Sequence, residues 1–504
     1  MLIAVIFVVT LTVYFLQKCW ILCTFDFWKK RNVNGPKPLP FFGNILDMIL
    51  VKKSTGQIYT EIYNKRQFVH LPWVGVYNLN NPELLIRDPE LIREILLKDF
   101  TSFEDNGTQV SEKSDPLLCR NPFFLRGQEW KDTRTQLVPS FTTTRVKEVV
   151  QKIQFVARKF VAFIDENIKE QFELKGLSLR FTTDNAFSLL YSLDSKSFDD
   201  KAAENWKIIR NAFTPSFSLA VRSSAVTIMP WLHYFLKIGL FPTELNDLIS
   251  KLTRKSLNNS RKETKDDLVD IYAHLLNRKT GQTFSENEVA SHCGGFILDG
   301  VETTATALSY ALYELAENPE TQDKLYAEIK SVVDTYGNIY QINYEVIQEM
   351  TYLDCVCSEA LRMHPPLLIM NKVCTNPYTL ISPKDENVAV NLDKGVQVIL
   401  PYLALHYDPK YFPKPEIFDP DRFSPENRSN IIKGTYLPFG DGPRKCLGQK
   451  FGLLQMKLGI MNVVSNFKME VGEKTKRPLE IDPSFFLMAT KGGIWVRFKK
   501  RNLV

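Results

Sequence analysis

The chain has 504 residues, 63 basic and 57 acidic side chains, a net charge of +6 and 44% hydrophobic residues. The charges alternate in sign and form no basic block, which argues against a nucleic-acid partner. Eight cysteines show no disulfide framework, and Cys355-x-Cys357 lacks the second pair that a zinc site needs.

The first sixteen residues carry no charge, and apolar residues resume at Trp20-Ile21-Leu22 after Gln17-Lys18. That length approaches the roughly 20 apolar residues of a spanning helix, with Lys18 able to snorkel toward a headgroup. Trp28-Lys29-Lys30-Arg31 follows as an aromatic and basic boundary, which places the bulk of the protein in the cytosol. A membrane anchor is expected over residues 1–25. The run Asn34-Gly35-Pro36-Lys37-Pro38-Leu39-Pro40 predicts a stiff, extended hinge within residues 26–44. No linker or repeat divides residues 45–504, so they are expected to form one large catalytic domain.

Apolar and polar residues alternate from Phe68 to Arg87, predicting short strands. Helices dominate from Pro89 onward. The longest is expected over Glu286 to Glu317, ended by Asn318-Pro319, where a second helix starts. Another is expected from about Tyr344 to Met363, stopped at Pro365-Pro366. Strand-like runs return near Val388 to Leu400 and Phe485 to Phe498. The fold class is therefore mainly α with small β-sheets, and the absence of βαβ alternation excludes a doubly wound sheet.

Four patterns carry chemistry. Trp130-x-x-x-Arg134 places an indole and a guanidinium one helical turn apart. Asp299-Gly300-Val301-Glu302-Thr303-Thr304 puts acids, alcohols and a glycine inside a helix, where propensity disfavours them. Glu359 and Arg362 are spaced to share a helix face, and the Pro-aromatic run Phe412 to Phe423 contains Arg422. Last comes Phe439-Gly440-Asp441-Gly442-Pro443-Arg444-Lys445-Cys446-Leu447-Gly448, just before a periodic helical stretch. A cysteine there meets the positive end of a helix dipole and has Arg444 close by, conditions that favour a thiolate. The glycines clear room for a flat, bulky group.

That decapeptide resembles the haem-binding signature of the cytochrome P450 superfamily, the haem-thiolate monooxygenases, and the other patterns occur in the family's order along nearly the whole chain. With Tyr310-Ala311-Leu312-Tyr313-Glu314-Leu315-Ala316, the signature most resembles insect microsomal members. The resemblance implies the cytochrome P450 fold and haem b (iron protoporphyrin IX) on the Cys446 thiolate. It implies that Trp130, Arg134, Arg444 and Lys372 approach the haem propionates and that Phe439 and Gly300 border the cofactor. It assigns Glu302 and Thr303 to proton handling, and Glu359, Arg362 and Arg422 to a buried structural network. By family position the substrate pocket is walled by Phe103, Phe123, Phe124, Phe213, Phe217, Tyr234, Phe296, Leu367, Leu368, Ile369, Phe485, Phe486 and Leu487. Asp299 stands where alanine or glycine is more usual.

The implied activity is insertion of one oxygen atom of O2 into apolar organic substrates such as xenobiotics, insecticides, hormones or lipids. Electrons would come from NADPH through a separate reductase, NADPH–cytochrome P450 reductase, with cytochrome b5 as a further donor, at the endoplasmic reticulum membrane. No Gly-rich nucleotide-binding turn is present in the chain itself. Two rival readings are a haem-thiolate isomerase and a non-catalytic haem or lipid carrier; the Glu302-Thr303 pair and Cys446 argue against both.

Overall fold

The structure is a computed structural model that describes residues 9–16, 25–199, 204–228, 237–260, 267–274, 281 and 283–501. The expected anchor falls largely outside these residues. Residues 9–16 are helical and exposed, and among the described residues no helix is long and apolar enough to cross a membrane.

A five-stranded sheet, a smaller three-stranded sheet, a two-stranded hairpin and a large helical body build the domain. The strands of the five-stranded sheet are β1 (Trp73–Asn78), β2 (Asn81–Ile86), β3 (Asp105–Asn106), β4 (Met370–Val373) and β5 (Gln397–Leu400), in the order β1-β2-β5-β4-β3. The first two fall in the run expected to form short strands, and they pair as a hairpin with Val74 opposite Leu85. β5 joins parallel to β2 with Leu84 beside Val398, and antiparallel to β4 with Lys372 opposite Val398. Lys372 also faces Asn106 of β3. The register therefore delivers one lysine to the end of the sheet nearest the helical body.

Five helices frame the site: α1 (Gly127–Leu137), α2 (Leu174–Tyr191), α3, α4 (Thr351–Met363) and α5 (Gln449–Asn466). The long helix α3 runs Glu286–Ile297, then a π turn at Leu298–Glu302, then Thr303–Glu317. Its start is a capping box between Ser285 and Glu288. From Thr304 to Ala316 every residue is buried, including Ser309 and Glu314, so this half is a core helix enclosed on all sides.

Two expectations change. The helix expected over Tyr344 to Met363 is two, Tyr344–Glu349 and α4, broken at Met350. The first is capped by the Asn343 side chain; the second begins where the Glu328 carboxylate accepts the N–H groups of Tyr352 at 2.7 Å and Leu353 at 2.9 Å. A long-range carboxylate thus supplies the N-terminal acceptors that the local sequence lacks. The strand expected from Phe485 is confined to Trp495–Lys500, and residues before it are turns.

Residues 33–38 are free of helix and turn, as an extended link requires, but Lys29–Arg31 is a 3-10 turn and the chain turns again over 40–44, and the segment 26–44 is no free hinge. Trp28 is 3% exposed. Its indole Nε1 donates to the Val76 carbonyl at 2.9 Å, and its backbone N–H donates to the Tyr77 hydroxyl at 3.1 Å. Gly75 makes the approach possible, since a Cβ there would lie 2.5 Å from the indole. Gly75 N–H also donates to the Asn34 carbonyl at 2.9 Å. The domain's sheet therefore includes this segment in its cover. Removing residues 1–24 is expected to leave stability unchanged. Removing residues 1–33 also takes the buried indole and should cost about 3–5 kcal/mol, the usual loss for deleting a core tryptophan. Thermal unfolding of the two truncations checks this, and equal midpoints would refute the docking.

Candidate active site

A cavity of about 460 Å³ lies between α3, the cysteine loop before α5 and the inner end of the sheet. Its polar floor is built from two distant loops. Cys446 N–H donates to the Phe439 carbonyl at 2.8 Å and closes the loop. Gly440 and Gly442 have φ of +67° and +72°, and a Cβ on Gly442 would stand 2.0 Å from the Leu96 carbonyl, so no other residue fits that turn. The loop ends three residues before α5, and the Cys446 sulfur opens onto the cavity deep inside the molecule.

The thiol itself departs from expectation. Burial pushes it up to about 11, with the Asp299 carboxylate adding to the rise against the Gly448 N–H and Arg134. A cation held at the sulfur would favour the thiolate over the thiol.

Cations converge on this floor. Arg444 lies 4.1 Å from the Trp130 ring, and it, rather than Arg134, makes the cation–π contact. Its guanidinium donates to the carbonyls of Pro122 at 3.0 Å and Leu125 at 2.8 Å and pairs with Asp105 at 3.3 Å. Its buried Nε has no partner. Burial lowers Arg444 to about 10. Arg134 instead donates to the Lys445 carbonyl at 2.7 Å, tying α1 to the cysteine loop. Lys372 is buried and donates to Asn106 Oδ1 at 3.0 Å and the Glu104 carbonyl at 3.2 Å. Burial, with Arg444 nearby, brings it down to about 7. Trp130, Arg134, Lys372, Phe439 and Arg444 all line the cavity. A partnerless buried guanidinium N–H beside a lysine that uses two of its three donors on neutral oxygens fits a flat group that carries carboxylates on one edge.

The opposite wall is α3. The π turn contains Gly300, where a Cβ would meet nothing closer than Phe296 at 3.7 Å, so the glycine opens onto space and fills no packing need. Thr303 lines the cavity and its hydroxyl donates to the Asp299 carbonyl. Glu302 is different. It is fully buried but turned toward α2, where Lys175 pairs with its carboxylate and also bonds the Thr306 hydroxyl. Burial pushes Glu302 up to about 7 against the pull of Lys175. Glu302 therefore lies behind the wall, not in it. Asp299 is in the wall, takes a hydrogen bond from Asn121 Nδ2 at 3.1 Å and is pushed by burial up to about 6.

Phe123, Phe124, Phe296, Leu367, Leu368, Ile369, Phe485, Phe486 and Leu487 line the cavity together. Three expected wall residues do not. Phe103 is buried on the sheet side against Tyr378 at 5.1 Å, and Phe213 packs on Phe241 at 5.4 Å in the helical core. Phe217 is 74% exposed. Helical periodicity marks a residue as apolar-facing without saying which apolar partner it meets. Tyr234 lies outside the described residues.

Glu359 and Arg362 on α4 form a fully buried bidentate pair with both contacts at 2.7 Å. Arg422 adds a contact to Glu359 at 3.3 Å, and Asp419 N–H donates to the same carboxylate at 3.0 Å. Arg362 also donates to the carbonyls of His406 and Pro415, each at 2.8 Å. The unforeseen member is His406. Its Nδ1 donates to the Arg362 carbonyl at 2.9 Å and its Nε2 accepts from Leu437 N–H at 3.0 Å, which fixes one neutral tautomer. Burial, reinforced by Arg362, brings it down to about 3. The network thus reaches the start of the cysteine loop. No local spacing signals His406, Lys175 or Asn121, whose bonds to Arg362, Glu302 and Asp299 span 44, 127 and 178 residues.

A family model described as Cytochrome P450 matches residues 33–497. The chain belongs to the cytochrome P450 family. It is 35% identical over 482 residues to cytochrome P450 6j1 of Blattella germanica, covering 95% of this chain and 94% of that relative. It is 33% identical to cytochrome P450 6k1 of the same insect, over 94% of this chain and 93% of the relative. The match to cytochrome P450 6B1 of Papilio polyxenes is 33%, over 95% and 96%. As a member of this cytochrome P450 family the protein is a haem-thiolate monooxygenase, an oxidoreductase with iron protoporphyrin on an axial cysteine.

Glu359→Gln keeps the shape of the network but leaves the fully buried Arg362 without its charge partner and Arg422 with Asp419 alone. Breaking a buried pair in this way costs about 3–5 kcal/mol. Denaturant unfolding should show that loss, together with a lower fraction of haem-loaded protein. A wild-type midpoint would mean that the network does not brace the loop.

Proposed function

We propose that this cytochrome P450 oxidises apolar small molecules, xenobiotics or endogenous lipids and hormones, held between the aromatic wall and α3. The apolar lining by Phe123, Phe124, Phe296, Phe485 and Phe486 carries this reading. In it, Cys446 ligates the haem iron while Trp130, Arg134, Lys372 and Arg444 hold its propionates and Phe439 packs beside it. Bound there, the cofactor supplies activation of dioxygen with the thiolate as electron donor.

The chain's own groups then do three things. The π turn at Gly300 leaves room against the helix for a small molecule. Thr303 Oγ lines the cavity with its proton resting on the Asp299 carbonyl, and rotation about the Cβ–Oγ bond would turn that proton toward a bound molecule while the oxygen accepts another. Glu302 with Lys175 forms the reserve behind it, a carboxyl near neutrality able to pass a proton along the turn. Glu359, Arg362 and Arg422 act as structural residues. The aromatic wall excludes water from this path.

Electrons come from NADPH through a separate diflavin reductase, with cytochrome b5 as a second donor. The protein sits on the endoplasmic reticulum membrane by an anchor in residues 1–25, with residues 26–44 linking it to the catalytic domain, 45–504, in the cytosol. A compound series of rising apolar area tests the substrate reading. Affinity, followed by spectral titration, should rise with area, and labelled dioxygen should appear in the product when reductase and NADPH are added. Equal binding of polar and apolar compounds would overturn it.

The reductase docks on the cysteine side through exposed lysines. Lys131, Lys433, Lys445 and Lys450 are all exposed; Lys131 also pairs with Glu104 at 2.8 Å, and Lys450 donates to the Thr143 hydroxyl at 2.5 Å. Complementary charge raises the association rate more than the final affinity. Lys445→Glu combined with Lys450→Glu should slow reductase-supported turnover and flatten its salt dependence. Peroxide-supported turnover, which needs no reductase, should stay close to wild type. Equal loss in both assays would place these lysines in service of the cofactor site.

A further inference from the structure

The π turn of α3 carries two acids that the fold treats differently. Glu302 is withdrawn behind the wall and given a lysine. Asp299 is left facing the cavity with a neutral amide for company. Asp299 is exposed to the cavity and not to the outer surface, and a carboxylate facing an aromatic-walled chamber without a cationic partner is the exception to explain.

The amide that holds it is itself locked. Asn121 is 1% exposed, and its Oδ1 accepts the Phe123 N–H at 2.7 Å. A Cβ on Gly295 would lie 3.2 Å from Asn121 Nδ2, so the amide is packed against α3 and its donor points at Asp299 Oδ2. Among the described residues no donor meets Asp299 Oδ1, and no lysine or arginine pairs with this carboxylate. One fixed, unshared acceptor therefore faces into a chamber whose neighbouring walls are Phe123, Phe124 and Phe296.

We infer that Asp299, braced by Asn121, is an anchoring subsite for a cationic group, and that the enzyme selects apolar substrates bearing one protonated or quaternary amine. The inference rests on the apolar-substrate reading above and narrows it. The cation would take the place of the missing counter-charge at Oδ1, and the faces of the neighbouring phenylalanines would add cation–π attraction. The apolar body of the ligand would keep the contacts already assigned to the wall.

The test uses the haem-loaded full chain and two ligands of equal shape, an arylalkyl trimethylammonium and its tert-butyl carbon isostere. The quaternary nitrogen has no lone pair, so it does not ligate iron. Binding is measured by equilibrium dialysis, with the haem spectrum confirming loading. Wild type should bind the cation about tenfold more tightly than the isostere, the size of one charge-assisted contact. Asp299→Asn, which keeps the side-chain shape, and Asp299→Ala should both lose that preference while binding the neutral isostere within about twofold of wild type. Equal affinity of wild type for the two ligands would overturn the subsite, as would a preference that survives Asp299→Asn. Failure of wild type to bind the neutral isostere at all would instead strike the apolar-substrate reading.

Discussion

Two buried charges on adjacent turns of one helix set the frame for everything around the cofactor site. Glu359 and Arg362 are wholly removed from water, and such a pair is tolerable only when every remaining hydrogen-bonding valence is used. Here they are used on backbone. Arg362 takes the carbonyls of His406 and Pro415, Glu359 takes the N–H of Asp419, and His406 passes the constraint to Leu437. The loop bearing Cys446 begins two residues later. A segment of turns and short 3-10 pieces, with little ladder bonding of its own, is thereby fixed by side chains from elsewhere. The stiffness of the site is borrowed from the helical core.

The same logic separates the two faces of the cavity. The floor is fixed by cations bonded to carbonyls, with Arg134 on the Lys445 carbonyl and Arg444 on those of Pro122 and Leu125. The roof is a helix whose hydrogen-bond ladder is loosened over Leu298–Glu302. Rigid donors below and an adjustable backbone above suit a site where a flat group stays put and smaller molecules come and go.

What the sequence disclosed follows from range. The cysteine loop and the Glu-x-x-Arg pair are local spacings that the structure keeps together, and of the acid–alcohol pair only Thr303 lines the cavity. Partnerships that cross the chain were not legible. Trp130 and Arg134 are one turn apart, yet the indole is covered by Arg444, 314 residues away, because Asp105 and two carbonyls draw that guanidinium across α1. Phe213 and Phe217 are equally aromatic in sequence, but one is in the core and the other in solvent. The break at Met350 depends on Glu328, and the orientation of Glu302 on Lys175; neither partner is marked by any nearby motif.

The docking of Trp28 on Gly75 has a mechanical side. An indole held by two hydrogen bonds and covered by a sheet does not act as a swivel, so Asp26, exposed just before it, moves as part of the domain. A spin label placed there would report the tumbling time of the whole enzyme and not the rapid motion of a tether. Force applied to the chain upstream would be transmitted first into β1, through the two hydrogen bonds that hold the indole residue to Val76 and Tyr77.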